Sequence, residues 1–182
     1  VIITTAPNYG LFTFKPERLN VNVEVVPLLE EDNYLINPKR LDDKVKEIND
    51  ELKDKYKDLD YVPKVVAFLN SNPNNPLGNY MGECEKERLE ELGKVIKDNN
   101  MFIIDDLIYR DICFDGDIAK PIASLDGMFK NTISLFGLSK SYGMASLRAG
   151  FVVADEIIIR EIVNKIFREL DAVPAIIGEA LA

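Results

Sequence analysis

Lys140 and Arg148 stand eight residues apart in SLFGLSKSYGMASLRAG, residues Ser134 to Gly150, a glycine-studded stretch straight after an apolar run. Two cations at the end of a buried strand are costly to desolvate unless something anionic lies between them. A lysine amine in a protected pocket can condense with an aldehyde, and small neighbours let a ligand approach it. Arg148, with the hydroxyls of Ser139 and Ser141 and the backbone amides of the turn, can hold a phosphate. The stretch lacks the spaced Gly-Lys-Ser/Thr pattern of a nucleotide-binding P-loop. Taken singly, either cation is as readily an ordinary surface charge.

Two other polar stretches offer complementary groups. IDDLIYR (104–110) carries Asp106 and Tyr109, and NSNPNNPLG (70–78) carries Asn75. A single ligand bearing both an aldehyde and a phosphate suggests pyridoxal phosphate. That molecule also needs a carboxylate to keep its ring nitrogen protonated, since the protonated ring is the electron sink. Asp106 is placed for this, and Tyr109 and Asn75 qualify as partners for the ring oxygen. Each stretch alone has a plainer reading. NPNNPLG is a strong turn sequence, and Asp105 or Asp106 would serve as the cap of a following helical turn. The conjunction of three stretches favours one site.

The elements that would position these groups alternate along the chain. Candidate strands are VIITT (1–5), VEVVPL (23–28), KVVAFLN (64–70), MFIID (101–105), NTISLF (131–136) and GFVVA (150–154). Several are continuously apolar, as in strands covered on both faces. Helical periodicity links Leu41, Val45, Ile48, Leu52 and Tyr56, then Leu89, Leu92, Val95 and Ile96, then Ile159, Ile162, Ile166 and Leu170. This order predicts an α/β fold, a three-layer α/β/α arrangement on a mostly parallel central sheet. In such sheets the loops leaving the carboxyl ends of the strands converge on one edge, where ligands bind. The stretch Asp50–Asp60 reads as a solvated helix face and its exit loop.

Composition narrows the classes further. The chain has 182 residues, with 31 acidic against 22 basic side chains and a net charge of −9. A nucleic-acid or anionic-membrane surface would need a basic footprint instead. Histidine is absent, which removes histidine triads, histidine proton shuttles and nearly every common zinc site. Cys84 and Cys113 have neither metal-ligand spacing nor a disulfide framework and are expected to be reduced thiols in a cytoplasmic protein. The opening VIITTAP reads as a strand and the closing VPAIIGEALA as the start of a helix, so the chain is expected to be a piece of a longer protein.

The three stretches together resemble the fold-type I, pyridoxal-phosphate-dependent aminotransferases of class I/II, the aspartate aminotransferase superfamily. NNPLG is similar to that family's Asn-Pro-x-Gly motif, DLIY to its Asp-x-x-Tyr motif, and SKSYGMASLRAG to its lysine and arginine signature. The resemblance implies that residues 1–182 are the central part of the cofactor-binding large domain, without the N-terminal arm and the small C-terminal domain. It implies Lys140 as the Schiff-base lysine and proton shuttle, Asp106 on the pyridinium nitrogen, and Tyr109 and Asn75 on the ring oxygen. Arg148 would bind the phosphate, Ser139 or Ser141 would add a hydroxyl, and Tyr9 would stack on the ring. Where the family usually has serine or threonine three residues before the lysine, this chain has Gly137. The implied reaction is transamination between an amino acid and a 2-oxo acid by a homodimeric enzyme. The same groups would also serve a decarboxylase or β-lyase, or the sensor domain of a regulator.

Overall fold

The computed structural model describes residues 1–169. Leu170 and the VPAIIGEALA segment lie outside the described residues. Six strands form one sheet: β1 Ile2–Ala6, β2 Val23–Pro27, β3 Ala67–Ser71, β4 Phe102–Asp106, β5 Thr132–Gly137 and β6 Gly150–Val153. Their order is β2-β1-β3-β4-β5-β6, parallel from β2 through β5, with β6 antiparallel to β5. All six expected strands are present. The third starts later than its apolar run, at Ala67, and Val66 instead donates a single backbone hydrogen bond to Val1.

Strand order reverses at β1, so the chain leaves β1 and β3 toward opposite sides of the sheet. That is the kind of point at which ligands bind open α/β sheets, outside the strands' carboxyl ends. The loop after β1 carries Tyr9, and the loop after β3 carries Asn75. Strands β4 and β5 lie next in the sheet and end at Asp106 and Gly137.

Register explains which strand residues are buried. Ile3, Phe68, Ile103 and Thr132 pair across four strands, and one layer further along Asn70, Asp105 and Ser134 pair across three. All of these are buried. Two amphipathic helices cover that face: α2 (Pro38–Lys55), through Leu41, Val45 and Ile48, and α3 (Lys86–Asp98), through Leu89, Leu92 and Ile96. Helix α2 starts where Asn37 accepts the Arg40 amide hydrogen, with Pro38 supplying a preset φ at the first helical position. The opposite face keeps Val25, Phe102 and Val152 more than a third exposed. Continuous apolar runs at these outer positions are therefore not covered on both sides by the described residues. Phe68, fully buried on the central strand, is the largest side chain in the covered layer. Phe68→Ala is expected to lower stability by about 3–5 kcal/mol, read from urea unfolding.

Three further helices complete the described residues: α1 (Leu11–Glu17), α4 (Leu138–Ser141) and α5 (Glu156–Glu169). Helix α1 escapes sequence periodicity because it is short, contains Pro16 and buries no residue. Helix α4 is a single turn in what reads from sequence as an irregular loop. Among the described residues no helix is long and apolar enough to cross a membrane.

Candidate active site

The asparagines of NSNPNNPLG divide the work of building the loop after β3. Asn70 donates to the buried Asp105 carboxylate at 2.9 Å. Asn72, almost fully buried, receives the Met81 amide on its Oδ1 and donates Nδ2 to the carbonyls of Met81 and Lys120. Its own amide bonds the Asp106 carbonyl. Asn74 accepts the Leu77 amide and reaches the Pro7 carbonyl at 3.3 Å, tying this loop to the one that carries Tyr9. Turn chemistry accounts for most of the stretch, as the plainer reading expects. Asn75 is different. Its Nδ2 lies 3.5 Å from the Tyr109 hydroxyl, a long contact at which both groups can donate to an acceptor lying between them.

At the end of β4 the pleat sends the two aspartates to opposite faces. Asp105 points into the helix-covered core, where it accepts hydrogen bonds from Asn70 and from the Ile122 amide at 3.1 Å. Burial outweighs those two bonds and pushes its pKa up to about 6. Its neighbour Asp106 faces the other side beside Ser71 and Leu135. One oxygen accepts the Ile108 amide at 3.1 Å, so Asp106 also performs the capping expected of an aspartate here. Burial raises its pKa too, partly offset by that bond. Among the described residues no cation pairs with it.

Asp105 sets a pH dependence. Between about pH 4, the ordinary carboxylate range, and about pH 6, the folded chain holds a proton that the unfolded chain releases. Its contribution to stability therefore declines as pH rises through that window and is level above it. Urea unfolding from pH 4 to 7.5 should show Asp105→Asn losing a falling component of about 3 kcal/mol relative to the parent chain.

After β5 the chain turns through α4 and returns as β6. Gly143 has φ +63, a conformation glycine adopts without steric penalty. Hydrogen bonds from the Gly143 amide to Lys140 and from the Met144 amide to Leu138 close the turn. Ser141 donates to the Ile108 carbonyl at 3.5 Å, joining this turn to the one after β4. A Cβ at Gly137 would stand 2.5 Å from Ile108 Cδ1, so the Ile108 side chain already fills the space a larger residue would need. Lys140 projects its amine over the Tyr109 ring, 5.7 Å from the centroid. Arg148 adopts a left-handed φ of +52 and donates to the Ala145 carbonyl. Neither cation has a carboxylate partner among the described residues. Both are exposed among the described residues, where their sequence context suggests a protected setting, and the neighbouring β6 is exposed along its length.

The geometry thus gathers Asn75, Tyr109 and Lys140 around one phenol, with Asp106 at the head of the same turn. Tyr9 is joined to this group only through the Asn74–Pro7 bond, and its ring meets Phe12 edge-on. Ser139 is half-buried on α4 next to Lys140, and Arg148 lies further along the exposed turn. Sequence reasoning missed the supporting roles of Asn72 and Ile108. The recurrence of asparagine beside proline is the signal that marks the first, while only packing discloses the second. As a donor set, the cluster offers an amine without a carboxylate partner, a half-buried carboxylate without a cation, a phenol–amide pair and a guanidinium free of carboxylates among the described residues. These fit a ligand carrying an electrophilic carbon, a cationic ring atom, an acceptor oxygen and an anionic tail.

Comparisons with known proteins bear on the same set. The chain is 34% identical over 139 residues to an aspartate aminotransferase of Pyrococcus abyssi, covering 76% of this chain and 31% of that protein. The aromatic aminotransferase structure from Pyrococcus horikoshii superposes with a TM-score of 0.75 at 27% identity, covering 92% of this chain and 40% of its own. A PLP-bound structure from Clostridium difficile 630 gives a TM-score of 0.76 at 25% identity, covering 94% and 40%. The chain therefore spans less than half the length of these relatives. The family described as aminotransferase class I and II matches residues 1–172, and with the cluster above in place the chain belongs to that family.

Proposed function

We propose that this chain is the central part of the cofactor-binding domain of a pyridoxal-phosphate-dependent aminotransferase, which moves an amino group from an amino acid to a 2-oxo acid. The observation that carries the reading is the meeting of Lys140, Tyr109 and Asn75 at the carboxyl ends of neighbouring strands, beside a half-buried carboxylate that pairs with no cation among the described residues. Pyridoxal phosphate supplies an electron sink for charge that develops at the substrate's α-carbon.

The residues then take separate roles. Lys140 Nζ would hold the cofactor through its aldehyde group, with loss of water, and once released would move a proton at the substrate's α-carbon. Asp106 holds a proton on the ring nitrogen through its charge, and its half-buried position strengthens that interaction over one made in water. Tyr109 Oη and Asn75 Nδ2 donate to the ring oxygen and fix the ring's rotation. Arg148, with Ser139 or Ser141, anchors the phosphate, and Tyr9 covers the ring face. Gly137 contributes no hydroxyl, which leaves phosphate binding to the serines of the following turn and to the arginine. The intact enzyme is a homodimer in this reading, a point that light scattering on the full-length protein decides.

The test is an absorption spectrum of the full-length protein with pyridoxal phosphate, then borohydride reduction and peptide mapping, alongside an assay for a new amino acid formed from a 2-oxo acid. A reducible band that maps to Lys140, with acceptor-dependent turnover, is the expected result. Turnover that needs no 2-oxo acid and releases ammonia or carbon dioxide would replace transamination by a lyase or decarboxylase.

A further inference from the structure

The strand that carries Asp106 holds a second carboxylate, which the chemistry of Lys140 and Asp106 does not use. Asp105 is fully buried, one residue before Asp106 and on the opposite face of β4. The layer it extends is apolar at Ile3, Phe68 and Ile103. Another apolar side chain would continue that layer, whereas a buried carboxylate without a cation is costly to desolvate.

The surroundings of Asp105 are nevertheless arranged for a charge. Asn70 on β3 donates to Oδ1 at 2.9 Å, and the Ile122 amide donates to Oδ2 at 3.1 Å. Ser134, its register partner on β5, has a buried hydroxyl without a hydrogen-bond partner among the described residues. An ionised carboxylate accepts more than two hydrogen bonds. That hydroxyl is therefore a third donor, one strand away. None of the three brings a charge from β3, from β5 or from the segment after Pro121. Among the described residues the charge that acts on Asp105 is Asp106. Burial raises the Asp105 pKa most, Asn70 and Ile122 hold it back, and Asp106 adds a further push, to about 6.

Two like charges on one strand repel, and a cation placed on one of them relieves the other. The two Cα atoms are about 3.8 Å apart, and a buried strand screens the interaction far less than water does. On this geometry, and resting on the aminotransferase reading above, we propose that Asp105 is a positioning residue for the cofactor, its charge acting through Asp106 to hold the proton on the ring nitrogen. Asp105 touches neither cofactor nor substrate.

The sign of the effect follows from linkage. A protonated ring beside Asp106 favours ionised Asp105, so the Asp105 pKa falls when the site fills. Below about pH 6 the cofactor-free protein holds a proton on Asp105 that binding must release. Above that pH the carboxylate is already charged. Affinity for the cofactor therefore rises with pH up to about 6 and gains nothing more from Asp105 beyond it.

The test titrates pyridoxal phosphate by calorimetry into the full-length protein and its Asp105→Asn variant, at about pH 5 and about pH 7.5. Asparagine keeps an oxygen to accept from Asn70 and removes the charge. Other groups that titrate on binding are common to both proteins, so the ratio of their affinities isolates Asp105. The parent is expected to bind about tenfold more tightly than the variant at the higher pH and within about twofold of it at the lower, since one pKa unit of coupling is tenfold. Asn70→Leu reads the same coupling with Asp105 in place, should the asparagine variant not fold. It removes a bond that lowers the Asp105 pKa, so its rise in affinity should move to higher pH. A parent-to-variant ratio that is the same at both pH values, or a rise in Asn70→Leu that stays at the parent's pH, overturns the proposal and leaves Asp105 a structural residue. The Lys140 adduct is mapped separately by borohydride reduction, and its absence in the parent protein would instead overturn the aminotransferase reading.

Discussion

Full-length protein carrying Lys140→Ala will show no reducible band with pyridoxal phosphate, and its transamination rate will fall by about 10²–10⁴-fold or more from loss of proton transfer alone. The amine has a single location in the geometry that supports this: over the Tyr109 ring, on the turn after β5, with no carboxylate partner among the described residues. An exposed lysine without an ion pair contributes little to folding, so stability should stay within about 0.5 kcal/mol of the parent. Unfolding curves and reduction mapping together separate a chemical role from a structural one. Retained turnover in this variant, or an adduct on another lysine with Lys140 left unmodified, would falsify the assignment.

Asp106→Asn gives the second large effect, and the substitution is chosen for what it preserves. Asparagine keeps an oxygen to accept the Ile108 amide, so the cap on the turn survives. What it removes is the negative charge in a half-buried setting. Losing one partner of a desolvated charge pair costs about 2–5 kcal/mol, which corresponds to a fall in rate of roughly 30-fold to 5,000-fold. The covalent adduct should still form, since Lys140 is untouched, while the band's position and its pH dependence shift as the ring nitrogen loses its proton. Unfolding free energy is expected to change little. Wild-type turnover in the Asn variant would remove Asp106 from the site and leave it as the cap of the turn after β4.

How far the sequence reached can be judged from these residues. Hydrophobic runs located all six strands, because five to six apolar residues bounded by turn formers leave few alternatives. Helices α2 and α3 were equally plain from their three-and-four spacing. Helix α1 was not, since seven residues with an internal proline carry too little periodicity. Order and spacing singled out Asn75, Asp106, Tyr109 and Lys140, of which the structure brings Asn75 and Lys140 to Tyr109. The pair Asp105–Asp106 was ambiguous, because either could cap a helix and only the pleat of β4 decides which one enters the helix-covered core. The exposure of Lys140 and Arg148 was also out of reach. Exposure follows from what packs around the turn, which no pattern over a few residues records.

The residues alone therefore determined the type of fold and the chemical inventory: a carboxylate at the end of a strand, and an amine, a phenol, an amide and a guanidinium in the segments that follow strands. Local sequence can do this because apolar periodicity and turn chemistry act over a few residues. Tertiary structure decided which of these groups meet. Strand order β2-β1-β3-β4-β5-β6 places the ends of β3, β4 and β5 side by side, although their loops are about thirty residues apart in sequence. It also set Ile108 against Gly137 and brought Asn70 and the Ile122 amide to Asp105, groups that no local pattern relates. Such contacts are fixed by the register of parallel strands, in which hydrogen bonding joins residues distant along the chain.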